Sequence, residues 1–224
     1  MKIFIDQGHG GSDPGAVSKI KESEFTLSYG YELGRVLMVL GFEVMYSRTS
    51  DYAVSLAERC RMANTWGADY FISIHFNSGG GIGIETFALS AGGQGEKLAK
   101  AVQGPIIDAT GAVNRGVKFA NFQVLRDTSM PAILIEGGFV DSDIDAQKIK
   151  TEDYKRKFIQ GATKGICAFT GVNWNDPYAV IVQPPSIVED KDIYLSVRVL
   201  QSKADQAIKD INKLGFAAKK LDLA

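Results

Sequence analysis

The chain has 224 residues, 45% of them hydrophobic and 23% charged, enough for one ordinary soluble domain and a small appendage. A formal net charge of −1 excludes the broad basic field by which nucleic acid or an anionic membrane would be held. Two cysteines exclude a disulfide framework, and no apolar run reaches the ~18 residues of a membrane span.

The first strand reads at residues 2–6, "KIFID", and runs straight into "QGHGG". No apolar stretch of secretory length precedes it, so the expectation is a protein made in the cytoplasm without a signal peptide. A helix follows from about Glu24, with Leu33, Val36, Leu37 and Leu40 on one face. Then come a strand at 42–48, a helix at 54–66 carrying Leu56, Cys60 and Ala63, and a strand at 69–75 that ends in "SIH". A strand at 82–89 leads to a third helix marked by Leu98, Ala101, Val102 and Ile106. Phe122 to Leu125 reads as a short strand and 131–136, "PAILIE", as a buried one. Ile159, Ala162, Ile166 and Phe169 mark the last helix of this part. The alternation predicts an α/β domain over residues 1–172, a twisted, mostly parallel sheet with helices on both faces. Cys60 and Cys167 fall on helices and read as small core residues.

Composition then shifts. Three of the six prolines, Pro177, Pro184 and Pro185, fall close together, and residues 173–191 read as a linker, with Tyr178 to Val182 as a short strand inside it. Residues 192–224 read as a small β-α-β unit, with Ala204, Ala207, Ile208 and Ile211 on one helix face. A unit of that size lies below the ~40 residues at which a core holds itself together, so it is expected to dock on the first domain or to pair with a copy of itself.

Only two histidines occur, His9 and His75, and both stand at carboxyl ends of expected strands, where open α/β sheets bind ligands. The glycines around His9 leave room for close approach. A phosphate loop does not fit: Asp13 stands where a third glycine is needed and would repel a pyrophosphate, and no Gly-Lys-Ser/Thr follows. Two imidazoles without a nearby cysteine suit zinc, which in hydrolytic sites adds one carboxylate and an open water position. Glu22 and Glu24 both qualify, and spacing alone does not separate them. Glu136, after five apolar or small residues and before two glycines, is the candidate general base, with Glu85 in "IGIETFAL" as its competitor. No Gly-x-Ser-x-Gly supports a serine hydrolase.

The motifs "IDQGHGGSDPGA", "KESEFTL", "RCRMAN", "SIHFN" and "AILIEGGFVDSDID" resemble, in order and spacing, the zinc-dependent N-acetylmuramoyl-L-alanine amidases of the Amidase_3 family over residues 1 to about 170. The resemblance implies His9, Glu22 and His75 as zinc ligands, thereby choosing Glu22 over Glu24, and Glu136 as the catalytic glutamate. It implies hydrolysis of the bond between N-acetylmuramic acid and L-alanine in bacterial peptidoglycan, with Asn77, two residues past His75, placed to touch substrate. Gln7 departs from the proline or small residue that the family often carries before Gly-His. The tail is similar to half of a SPOR-type wall-binding repeat, so wall binding with homodimerisation through this module is expected. Synthesis without a signal peptide favours a phage endolysin acting on the wall after the membrane is opened, with a spore mother-cell lysis amidase as the alternative. A non-catalytic wall-binding protein on the same fold is the remaining alternative, which the intact His9, Glu22, His75 and Glu136 disfavour.

Overall fold

The structure, a computed structural model, describes residues 1–178. The linker beyond residue 178 and the module expected at 192–224, with its wall-binding and dimerisation readings, lie outside the described residues. Among the described residues, no helix is long and apolar enough to cross a membrane.

The elements run β1 (Lys2–Gln7), α1 (Glu22–Val39), β2 (Glu43–Tyr46), α2 (Leu56–Trp66), β3 (Tyr70–Asn77), β4 (Ile84–Ala88), α3 (Gln94–Thr110), β5 (Asn114–Phe119), α4 (Gln123–Arg126), β6 (Ala132–Phe139), α5 (Asp143–Ile149) and α6 (Glu152–Thr170). They build one six-stranded sheet in the order β2-β1-β3-β6-β4-β5. Every pair is parallel except β4 with β6. The α/β class with a mostly parallel sheet is therefore the observed architecture.

Both faces are covered because alternate residues of each central strand are apolar on both sides. Ile3, Ile5, Ile72, Ile74, Ile133 and Ile135 pack with α1, α3 and α6 in the larger core. Phe4, Phe71 and Leu134 pack on the other face against Cys60 and Ala63 of α2 and Val124 and Leu125 of α4. Each such fully buried side chain contributes about 1.5–3 kcal/mol. Helix starts are set locally: the hydroxyls of Ser55, Ser142 and Thr151 accept from the backbone N–H groups of Glu58, Asp145 and Tyr154.

Four expectations need correction. Phe122 to Leu125 is not a strand: Phe122 is the extended N-cap of the short helix α4, a case where a brief apolar run fits either structure. The sheet's remaining strand is instead β5, whose sequence "NRGVKF" lacks clean apolar alternation because it lies at the edge and is mostly half-buried. Strands β3 and β6 continue past His75 and Glu136, so these residues stand within strands rather than at their ends. Residues 173–178, expected to begin the linker, pack on the domain: Trp174 Nε1 donates to Thr163 Oγ1 at 3.2 Å, and Tyr178, itself buried, donates to Glu32 Oε1 at 2.7 Å.

Candidate active site

The site is built over the carboxyl-terminal halves of β3 and β6 and the turn after β1, on the face that carries α2. Its floor is polar, which an apolar strand reading does not anticipate. Asp6 is 1% exposed and accepts from Arg59 Nη1 at 2.6 Å and from Ser73 Oγ at 2.7 Å. Burial works against the Asp6 charge, but the Arg59 charge and these hydrogen bonds outweigh it and hold the carboxyl below its ordinary range. Arg59 also donates to the carbonyls of Gln7 and His9, and Arg48, fully buried, donates to those of Gln7 and Gly8. Two guanidinium groups thus engage three consecutive carbonyls, and the turn after β1 is fixed by charge-assisted hydrogen bonds. Burial and the neighbouring Arg59 lower the pKa of Arg48.

On this base the chain turns back through Gly10 and Asp13, whose backbones exchange two hydrogen bonds. His9 adopts φ 61°, the left-handed region, and is the one non-glycine residue to do so among the described residues. Gly15, at φ 66°, lies where a Cβ would come within 2.6 Å of Glu22 Oε2 and 2.7 Å of His9 Cδ2. A Cβ on Gly8 would likewise run into the ring of His75. Both glycines are required by the closeness of the side chains they border.

Glu22 opens α1, yet it is spent on the site. Its Oε1 lies 3.0 Å from His75 Nδ1 and 3.1 Å from His9 Nε2, and accepts from the Phe76 N–H. Its Oε2 accepts from the Ala16 N–H at 2.9 Å. Burial opposes the Glu22 charge, but hydrogen bonds from His75 and His9 override it, and the carboxyl is held far below the usual carboxylate range. Burial disfavours the charge on His9, whereas Glu22 and Asp13 favour it and win, so the His9 pKa is raised. Asp13 Oδ2 lies 2.9 Å from His9 Nδ1 and orients the ring with Nε2 toward Glu22. Asp13 entered the sequence reading only as an obstacle to phosphate; its spacing of four from His9 across a glycine turn was the available signal. Glu24 is exposed and lies 3.7 Å from Lys21.

His9, Glu22 and His75 each offer one ligand atom, and all three atoms lie within 4.8 Å of one another. Two imidazole nitrogens and one carboxylate oxygen form a donor set that zinc accepts, so these three residues could hold the ion. A cavity of about 310 Å³ opens beside them, lined by Gly8, His9, Val54, Leu56 and His75 among others.

Glu136 stands next to His75 in the β3–β6 register and directly opposite Glu85 in the β6–β4 register. Its Oε2 is buried without a hydrogen-bond partner. Burial pushes its pKa up to about 7, with the charges of Glu22 and Glu85 adding to the rise and those of His75 and His9 opposing it. Glu85 is the reverse case. It is buried too, but Arg115 and Lys118 both pair with its Oε2 and keep its pKa low against the cost of burial. Asn77 donates from Nδ2 to Glu85 Oε1 at 2.9 Å and accepts from the Ser78 N–H at 2.8 Å, so one amide N–H is left over. The structure therefore gathers His9, Glu22, His75 and Glu136 and leaves Glu24 outside. Asp6, Arg48 and Arg59 are further site residues that the sequence reading missed.

Comparison with known proteins identifies the family. The chain is 43% identical over 170 residues to the sporulation-specific N-acetylmuramoyl-L-alanine amidase of Bacillus subtilis, covering 74% of this chain and 67% of that protein. It is 35% identical over 173 residues to the endolysin of Bacillus phage SPP1, covering 73% of this chain and 64% of the endolysin. The crystal structure of an N-acetylmuramoyl-L-alanine amidase from Clostridium difficile 630 superposes with a TM-score of 0.74 at 36% identity, over 77% of this chain and 98% of that one. Residues 3–168 match the family described as N-acetylmuramoyl-L-alanine amidase, Amidase_3, and the chain belongs to that family.

Proposed function

We propose that the chain is a zinc-dependent peptidoglycan hydrolase that cuts the amide between the lactyl group of N-acetylmuramic acid and the L-alanine of the stem peptide. His9, Glu22 and His75 would hold the ion and Glu136 would act as general base. The observation that carries this reading is the partnerless, buried Oε2 of Glu136 beside three convergent ligand atoms. The chemistry a zinc ion supplies when bound is activation of the attacking water and polarisation of the scissile carbonyl. Glu136 would take a proton from that water and deliver it to the leaving amine, a role for which its Oε2, without a hydrogen-bond partner, is free. Asp13 keeps the His9 ring in the tautomer whose Nε2 is free to ligate, and the Arg48–Arg59 pair fixes the turn that carries it. Asn77 has one N–H left for substrate and otherwise serves Glu85.

The likeness to the SPP1 endolysin supports a lysis role, in which the enzyme is made in the host cytoplasm and reaches the wall once the membrane is opened. The higher identity to the sporulation-specific amidase favours, as a second reading, an amidase of the sporulating cell. Residues 192–224 are proposed to target the wall, as a homodimer.

The test is metal content by mass spectrometry together with amine release from purified peptidoglycan. We expect one zinc per wild-type chain with new L-alanine amino groups, and loss of both in His75→Ala. Amine release that survives complete removal of metal by a chelator would overturn the zinc mechanism. Cytoplasmic expression that lyses cells only after membrane permeabilisation would favour the endolysin role.

A further inference from the structure

The edge strand β5 carries two cations, Arg115 and Lys118, that turn inward onto the face occupied by Glu136. Arg115 Nε and Lys118 Nζ each lie 2.5 Å from Oε2 of Glu85, whose Oε1 is taken by Asn77. Two cations thus face one buried carboxylate, and the group carries one surplus positive charge. Their side chains are held in place: the Arg115 guanidinium lies 4.8 Å from the Phe139 ring centre and Lys118 Nζ lies 6.0 Å from that of Phe87. They are also open to solvent, with side-chain exposures of 31% and 40%. Among the described residues, Arg115 engages Glu85 through Nε, and no hydrogen bond uses its two terminal nitrogens.

Glu85 stands directly opposite Glu136, so the two charged heads lie over β4, about 4.8 Å from the strand that carries the general base. An extended peptide advances about 3.3–3.6 Å per residue. A stem peptide whose first amide lies at Glu136 therefore reaches these cations within its next residue. In peptidoglycan that residue is a γ-linked D-glutamyl unit whose α-carboxyl is either free or amidated. We propose that Arg115 and Lys118 form an anion subsite that selects stem peptides with the free α-carboxylate at the second residue. A carboxylate there accepts from the unused Arg115 nitrogens and from Lys118 and neutralises the surplus charge, whereas an amide does neither. This assignment rests on the amidase reading, because that reading sets which side of the substrate lies over β4.

The test separates the two. The full chain with Glu136→Gln, loaded with zinc, is titrated calorimetrically with two N-acetylmuramoyl tripeptides that differ only in free acid or amide at the second residue. Wild-type amine release from both is followed in parallel. The free acid should bind about tenfold more tightly, as expected for a charge-assisted hydrogen-bonded contact. Arg115→Gln in the same background should bring the ratio near unity and Lys118→Gln should reduce it to about threefold, while Lys118→Arg should preserve it. Equal affinity of the Glu136→Gln chain for the two peptides overturns the subsite. So does a ratio left unmoved by both glutamine substitutions, since Arg115 and Lys118 would then serve only to neutralise Glu85. A tenfold ratio that Arg115→Gln abolishes, with no wild-type amine release, would sink the amidase reading and reduce the cations to a carboxylate-binding site outside any cleavage register.

Discussion

The centre of the sheet and its β4–β5 edge present the same side chain in opposite conditions. Glu136 and Glu85 face each other on neighbouring strands, on one face, Glu85 buried and Glu136 half-buried with its Oε2 shielded from water. At the centre, Glu136 has one oxygen without a partner and a pKa raised to about 7 by burial. At the edge, Glu85 has both oxygens engaged, by Asn77, Arg115 and Lys118, and stays ionised despite burial. Burial alone therefore does not decide the direction in which a carboxyl's pKa moves. What distinguishes the two is whether side-chain cations pair with the carboxylate, and the cations that pair with Glu85 belong to a strand two places away from β6. Pairs of carboxylates pushed apart in this way are how acid–base roles are divided within one site.

The largest effect should come from Glu136→Gln. The amide cannot accept the water's proton, so kcat should fall by about 10²–10⁴-fold. Zinc content and melting temperature should stay near those of the wild type, because the lost oxygen had no partner to leave behind. Steady-state amine release with parallel metal analysis checks this. A comparable collapse of kcat in Glu85→Gln, with the fold intact, would erase the distinction between the two regions.

Glu85→Gln should instead act mainly on stability, by about 1–3 kcal/mol, because a buried acceptor of charged donors is replaced by a neutral group. The half-exposed partners keep this below the cost of breaking a fully buried ion pair. The effect should depend on pH with a definite sign. The Glu85 pKa is lowered in the fold from its ordinary 4.5, so its contribution is complete above that value and lost as pH falls through the folded pKa. The stability gap between wild type and Glu85→Gln, from urea denaturation across pH 3–7, should be flat at the neutral end and shrink on acidification below about 4.5. A gap that widens on acidification would show that the ion pairs at β5 are not its source.

The contrast also marks what was legible in the sequence. The two histidines could be placed because the residue is scarce here and both follow strongly apolar runs. The choice between Glu22 and Glu24 could not be made locally. Both sit in the first turn of α1, roughly 200° apart around the helix, and only the docking of α1 beside β3 decides that Glu22 meets Phe76 and the histidines. Glu136 could be preferred to Glu85 from its apolar run and the two glycines after it, but the burial and pairing of Glu85 could not be read, because the deciding cations lie on β5, the strand that apolar alternation misses. Arg48 and Arg59 were hidden for a related reason. Charge in a sequence argues for exposure, and their burial makes sense only once the carbonyls of residues 7–9 and Asp6 are there to receive them. Apolar periodicity is written within each segment, whereas ion pairing is a property of segments brought together.

Asn77→Ala should give the smallest change and is the sharpest probe of the boundary between the two regions. Asn77 ends β3, the strand of His75, but its side chain binds Glu85 of the edge group and the Ser78 N–H. Removing the amide takes one hydrogen bond from a carboxylate that keeps two cationic partners, which costs about 1 kcal/mol of stability. If Asn77 serves only the edge, kcat/KM should fall by no more than a few-fold and Asn77→Asp should be the worse variant, since it sets a second carboxylate against Glu85. If its remaining N–H binds the substrate, the alanine variant should raise KM by about tenfold with kcat unchanged, the mark of binding lost equally in ground and transition states. Because Glu85 stays paired in either case, the KM-to-kcat split reads the role of Asn77 without disturbing the charge on which the contrast between Glu85 and Glu136 depends.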